Sequence, residues 1–176
     1  DIDNNNMDII LLEKSPKIAV YAPKDKQPWD DAVTLALTYA EVNYETIFDD
    51  EVLSGELSKY DWLHLHHEDF TGQYGKFYKR FKNSAWYKKM ENDFKRIAYN
   101  NGFDTVQELK KTIASKIKDY INNGGFLFAM CSATDSFDIA LASQNVDIAA
   151  NVFDGTPVDN NYQSKLNFDN TLVFEN

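Results

Sequence analysis

The chain has 176 residues, of which 43% are hydrophobic and 26% are charged, the composition of one globular domain with a single core. Its formal net charge of −10 argues against nucleic acid or an anionic membrane surface as a partner, because like charges repel. The single cysteine, Cys131, excludes an internal disulfide and a zinc site built from several cysteines, and no apolar run is long enough to form a membrane-spanning segment.

The first part of the chain predicts two buried strands separated by a helix. Residues 1–15 are expected to form a flexible arm, and residues 16–176 a single α/β domain. KIAVYAP, at residues 17–23, is a short β-branched apolar run closed by proline, which is typical of a buried strand. Residues 24–42 carry apolar side chains at helical spacing, and NYETIFDDE, at residues 43–51, predicts the second strand.

The middle of the chain predicts a third strand followed by inserted helices. YDWLHLHHED, at residues 60–69, is a strand that ends in polar groups. Residues 71–103 are rich in aromatic side chains at helical spacing, which predicts one or two inserted helices packed on the core. Residues 104–125 form the clearest helix, where Thr105 and Glu108 fit a capping box at its start.

The last predicted elements complete a layered α/β fold. FLFAM, at residues 126–130, predicts a fourth strand, residues 132–142 a helix, and residues 171–174 a terminal strand. The alternation of strands and helices predicts a three-layer fold around a mostly parallel sheet of about five strands. The simplest strand order is the flavodoxin-like 2-1-3-4, which makes the carboxyl ends of strands three and four neighbours at the edge where such sheets bind ligands.

Cys131 lies at the predicted turn from the fourth strand into the following helix, between Ala129 and Ala133. This is the position of a nucleophile elbow, where the N–H groups at the helix start favour a thiolate and can hold an oxyanion. A buried, inert cysteine at the end of a strand explains the same residues. Ser132 and Asp135, in the first turn of the helix, are candidate binding residues.

All three histidines lie in HLHHED, at the end of the third strand. On a strand, His64 and His66 would point to one face and His67 to the other. His66 or His67 can act as a base for Cys131, with Glu68 or Asp69 orienting the imidazole. His64 and Asp69 are also candidate binding residues, and His64 with His66 is a candidate site for a divalent metal ion. In a third interpretation, the histidines only cap the sheet and bind loops.

The elbow, the KIAVYAP strand and the end of the third strand together resemble the class I glutamine amidotransferase-like superfamily. PWDDAVTLALTYAEV, YDWLHLHHEDFTGQYGKFY and FAMCSATDSFDIALA are similar to a group of proteins labelled asparagine synthetase B. The resemblance implies the fold and a nucleophilic Cys131, but not synthetase activity. In the superfamily a His-x-Glu pair after the cysteine completes the triad, whereas no histidine follows Cys131 here. The labelled proteins are longer and exported, which implies a truncated chain from an exported protein.

These features predict a glutamine amidotransferase-like domain that hydrolyses a small-molecule amide or transfers its acyl group without a cofactor. The predicted catalytic residues are Cys131, His66, His67 and Glu68. Two alternatives stay open at this point. One is a non-catalytic binding or interaction domain on the same fold, and the other is a metal-dependent hydrolase that uses the histidine cluster.

Overall fold

The computed structural model describes residues 15–23 and 32–175, so that all but the last residue of the predicted arm lies outside the described residues. Four strands occur in these ranges: β1 (Ile18–Tyr21), β2 (Tyr44–Ile47), β3 (Trp62–Leu65) and β4 (Phe126–Ala129). The α-helices there are α1 (Ala32–Tyr39), α2 (Asp49–Leu53), α3 (Gly75–Phe81), α4 (Ala85–Asn100), α5 (Val106–Asn122), α6 (Ser132–Ala142) and α7 (Asn151–Asp154). Short 3-10 helices lie at Glu56–Lys59, Tyr162–Lys165 and Phe168–Asn170.

The four strands form one all-parallel sheet in the order β2-β1-β3-β4, which confirms the predicted strand order. In register, Val20 of β1 lies beside His64 of β3, and His64 lies beside Phe128 of β4. Because the strands are parallel, their carboxyl ends all lie at the same end of the sheet. The chain segments after β3 and β4, which hold His66, His67 and Cys131, are therefore neighbours, as the sequence predicts.

The main core lies between one face of the sheet and helices α5 and α6. The strands contribute side chains that alternate along their length: Ala19, Tyr21, Ile47, Leu63 and Leu65. The helices contribute Leu109, Ile113, Ile117, Phe137 and Leu141. Complete burial of one such aliphatic side chain stabilises the fold by about 1.5–3 kcal/mol. This packing fixes α6, and with it the turn that carries Cys131, against the end of the sheet.

The predicted capping box starts α5. The Thr105 hydroxyl oxygen accepts the backbone N–H of Glu108 at 3.1 Å, and the Glu108 carboxylate accepts the N–H of Thr105 at 3.3 Å. At the other end of the helix, Gly124 adopts a left-handed conformation with φ of 95°, which a residue without a Cβ reaches at little cost. This turn directs the chain into β4.

Two predicted strand segments differ from the structure. The second strand ends at Ile47, and α2 begins at Asp49, because three acidic side chains in the first turn interact favourably with the helix N-terminus. Residues 171–174 do not form a strand. Their N–H groups instead bond to the buried carboxylate of Asp138 on α6, where Leu172, Val173 and Phe174 donate at 2.8, 2.8 and 2.9 Å.

Strand β4 lies at one edge of the sheet and exposes aromatic side chains on the face opposite the main core. Phe126 is 58% exposed and Phe128 is 40% exposed. Both rings contact Trp62 edge-on, with centroids 6.0 and 6.4 Å away.

Within residues 15–23 and 32–175, none of the helices combines the length and the apolar character needed to cross a membrane.

Candidate functional site

Cys131 occupies the turn between β4 and α6, directly before the first residue of the helix. Its backbone has φ of 53° and ψ of −134°, a region in which a residue with a side chain is strained. The thiol side chain is exposed. The residue therefore stands on a sharp strand-to-helix turn and is open to solvent, which is the geometry that an attacking nucleophile needs.

The structure brings Cys131 together with two of the three histidines. One donor atom from each of His66, His67 and Cys131 lies within 4.8 Å of the others. The two imidazole rings have centroids only 3.5 Å apart, so the expected alternation of His66 and His67 between opposite faces is wrong. The reason is that β3 ends at Leu65, and strand alternation no longer applies to the loop that follows.

Hydrogen bonds connect the histidine loop directly to the first turn of α6. The backbone N–H of Ala133 donates to the carbonyl oxygen of His66 at 3.1 Å. The hydroxyl of Ser132 donates to the carbonyl oxygen of His67, also at 3.1 Å. Ser132, predicted as a binding residue, thus uses its hydroxyl to hold the two sides of the site together.

The two predicted orienting carboxylates bind backbone groups of the same loop. Glu68 accepts the backbone N–H of His66 at 3.0 Å. Asp69 accepts the backbone N–H of Thr71 at 2.7 Å and also its hydroxyl, which closes a tight turn. Ser136, which the sequence did not single out, donates its hydroxyl to the carbonyl oxygen of Glu68 at 3.0 Å. These contacts fix the path of the loop that carries the imidazoles.

The two remaining predicted binding residues lie in different settings. His64 is fully buried in β3, where Nδ1 lies 3.2 Å from the carbonyl oxygen of Phe128 and the two rings stack. It is not a member of the group formed by His66, His67 and Cys131. Asp135 is exposed in the first turn of α6 and accepts the Thr134 hydroxyl at 3.4 Å.

A buried charged cluster lies at the carboxyl ends of β1 and β2, in the last residue of β1 and just after β2. Lys110 of α5 places Nζ 2.8 Å from both carboxylate oxygens of Asp49 and 2.8 Å from the hydroxyl oxygen of Tyr21. The Tyr21 hydroxyl also donates to Asp49. Burial, together with the negative charge and hydrogen bond of Asp49, raises the pKa of Tyr21 well above its ordinary value.

This cluster was missed in the sequence, although one signal was present. Lys110 lies four residues after Val106 and seven before Ile117, so it shares their apolar stripe on α5. A lysine on such a stripe predicts a buried carboxylate partner, since burial of an unpaired ammonium group has a high free-energy cost.

The chain was compared with protein-family models, curated proteins and solved structures, and no match was found among them.

Proposed function

We propose that the chain is a glutamine amidotransferase-like domain on a flavodoxin-like fold, in which Cys131 attacks the carbonyl carbon of a small-molecule amide. One observation carries this proposal: the exposed thiol stands on a positive-φ turn, with donor atoms of His66 and His67 within 4.8 Å. The strand order supports the flavodoxin-like arrangement, since the site then lies at the carboxyl ends of two neighbouring strands, where such folds bind ligands.

His66 is the better candidate for the base, with His67 as its neighbour. The peptide groups on both sides of His66 are held, since its N–H donates to Glu68 and its carbonyl oxygen accepts from Ala133. A base that is fixed in this way needs little reorganisation to take a proton. Glu68 is then a positioning residue that acts through the backbone of His66.

The reaction has two stages, the formation of a thioester on Cys131 and its hydrolysis. The thiol proton of Cys131 moves to the imidazole, and the sulfur bonds to the amide carbon, which gives a tetrahedral oxyanion. The carbon–nitrogen bond then breaks as the imidazolium returns the proton to the departing nitrogen, so that ammonia leaves and a thioester remains. Water attacks the thioester carbon, gives its proton to the imidazole and releases a carboxylic acid, while the sulfur recovers the proton.

Oxyanion stabilisation in this scheme comes from the start of α6. The first N–H groups of a helix have no acceptor within the helix and point along the positive end of its dipole. The N–H of Ala133 already donates to His66, so the N–H of Ser132 is the donor that we assign to the oxyanion.

Alkylation of the single cysteine by iodoacetamide tests the nucleophile. An ordinary cysteine is only a few per cent thiolate at neutral pH, so proton transfer to an imidazole is expected to speed alkylation by about tenfold. The reference is a peptide that spans residues 128–134. His66→Asn should return the rate to that of the peptide, whereas Asp93→Asn, a surface change on α4, should leave it unchanged. A wild-type rate equal to the peptide rate would refute the activated thiol.

Ammonia release from glutamine and other small amides tests the reaction itself. We expect turnover in the wild type and none in Cys131→Ala. In His66→Asn, turnover should be at least about tenfold lower, because a general base usually contributes more than tenfold to the rate. Fast alkylation without turnover of any amide would favour the non-catalytic binding domain on the same fold.

A further inference from the structure

We infer that His66, His67 and Cys131 form a binding site for a thiophilic divalent ion, Zn²⁺ in particular. Two imidazoles and one thiolate are a ligand set that zinc prefers, while Mg²⁺ and Ca²⁺ prefer oxygen. Zinc binding requires only the three donor atoms, so this inference does not depend on the amidotransferase chemistry.

The distances are close to those of a tetrahedral zinc site. In such a site, zinc–nitrogen bonds of about 2.0 Å and a zinc–sulfur bond of about 2.3 Å place neighbouring donors about 3.3–3.6 Å apart. The donor atoms of His66, His67 and Cys131 already lie within 4.8 Å of one another. Each pair therefore needs to approach by about 1.5 Å at most to reach those spacings, a displacement of the size that changes in side-chain torsion angles produce.

The backbone that carries the three ligands is held by hydrogen bonds on both sides. The two bonds from Ala133 and Ser132 to the carbonyl oxygens of His66 and His67 connect the histidine loop with the elbow. A backbone that is fixed in this way loses less conformational freedom when the ion binds than an unrestrained loop would.

The site is open rather than enclosed. His67 and Cys131 are exposed and His66 is half-buried, so the fourth position of a bound ion faces solvent and takes a water molecule. When Zn²⁺ binds, the thiol proton is released to solvent and a zinc–sulfur bond forms. The sulfur electron pair is then shared with the ion, and the thiol can no longer attack a carbon atom. Zinc is thus expected to inhibit the reaction proposed for Cys131.

Calorimetric titration with Zn²⁺ in excess Mg²⁺ tests the site, since Mg²⁺ occupies the carboxylates of this acidic surface. We expect one ion per chain, and at least about tenfold weaker binding in Cys131→Ser and in His67→Gln. Asp93→Asn should bind zinc like the wild type. His67 is exposed, so His67→Gln tests a ligand without removing a core side chain. Equal zinc affinity of the wild type and both ligand variants would overturn the assignment.

Co²⁺ gives an independent measurement of sulfur ligation. We expect a thiolate-to-cobalt charge-transfer band in the wild type that is absent in Cys131→Ser. A cobalt complex without this band would show that the ion lies on other groups.

Alkylation with and without metal separates the two proposals. One equivalent of zinc should block alkylation of Cys131, and EDTA should restore it. Fast alkylation in EDTA that zinc does not slow would overturn the metal site and leave the nucleophile standing. Zinc protection of a thiol that is slow in EDTA would support the metal site and refute the nucleophile.

Discussion

Replacing Lys110 by methionine tests how the buried charged cluster is held. Lys110 is 3% exposed and Asp49 is 0% exposed, and the ammonium nitrogen lies 2.8 Å from both carboxylate oxygens. The ammonium also lies over three aromatic rings, the nearest being Phe48 at 4.3 Å. Methionine keeps most of the volume of lysine and removes the charge, so the variant leaves the Asp49 carboxylate in the core without its ammonium partner.

The expected loss of stability follows from the burial of Asp49. At 2.8 Å and an effective dielectric constant of about 20, the attraction between the two charges is about 6 kcal/mol, most of which offsets the cost of removing both ions from water. Without Lys110, the cost of burying Asp49 is no longer offset, and we expect a destabilisation of about 3–5 kcal/mol. For a chain of this length, that corresponds to a decrease in Tm of about 6–20 °C.

Urea denaturation at neutral pH measures the effect against a matched surface pair. Lys95 and Glu91 also form a close pair, at 2.6 Å on α4, but the Lys95 side chain is 49% exposed. We therefore expect Lys95→Met to cost no more than about 0.5 kcal/mol. The double variant Asp49→Leu with Lys110→Met should be more stable than Lys110→Met alone, because no uncompensated charge remains. A cost below about 1 kcal/mol for Lys110→Met would refute the reasoning.

Substitutions at four further positions test other features of the structure. Among the described residues, the buried Tyr74 hydroxyl has no hydrogen-bond partner, so Tyr74→Phe should raise the free energy of unfolding by about 1 kcal/mol. Tyr87→Phe loses a hydrogen bond to the Tyr74 carbonyl oxygen and should lower that free energy by a similar amount. Urea denaturation measures both changes. Asp138→Ala should cost about 2–3 kcal/mol and speed hydrogen exchange of the amides at residues 172–174; exchange equal to the wild type would contradict its role. Cys131→Gly should be about 1 kcal/mol more stable than Cys131→Ala, since glycine tolerates a φ of 53°, and the reverse order would exclude backbone strain there.

The sheet could be predicted from the sequence because its signals are local. Short apolar runs mark the strands, and the capping box at Thr105 marks the start of α5. The buried cluster could not be located in the same way, because Asp49 and Lys110 are 61 residues apart. Lysine on an apolar stripe indicates that a partner exists, but only the packed fold shows which carboxylate that partner is.

The proximity of the candidate residues could be predicted from the sequence, but their relative orientation could not. The strand order places the histidine loop beside Cys131, and this much follows from parallel pairing. Whether His66 and His67 approach each other depends on where β3 ends, and strand boundaries are the least certain part of a sequence pattern. The contribution of Ser136 depends on the same loop, since its hydroxyl binds the Glu68 carbonyl oxygen.

The strain at Cys131 is sustained by contacts that continue the sheet beyond its strands. Met130 donates its N–H to the carbonyl oxygen of Leu65 at 2.9 Å, and Ala133 donates to His66 at 3.1 Å. The elbow is thus bonded to the end of β3 on both sides of Cys131, and a strained residue persists where its neighbours are fixed in this way. Because the same bonds position the histidine loop, the contacts that hold the thiol in its strained turn also hold the imidazoles near it.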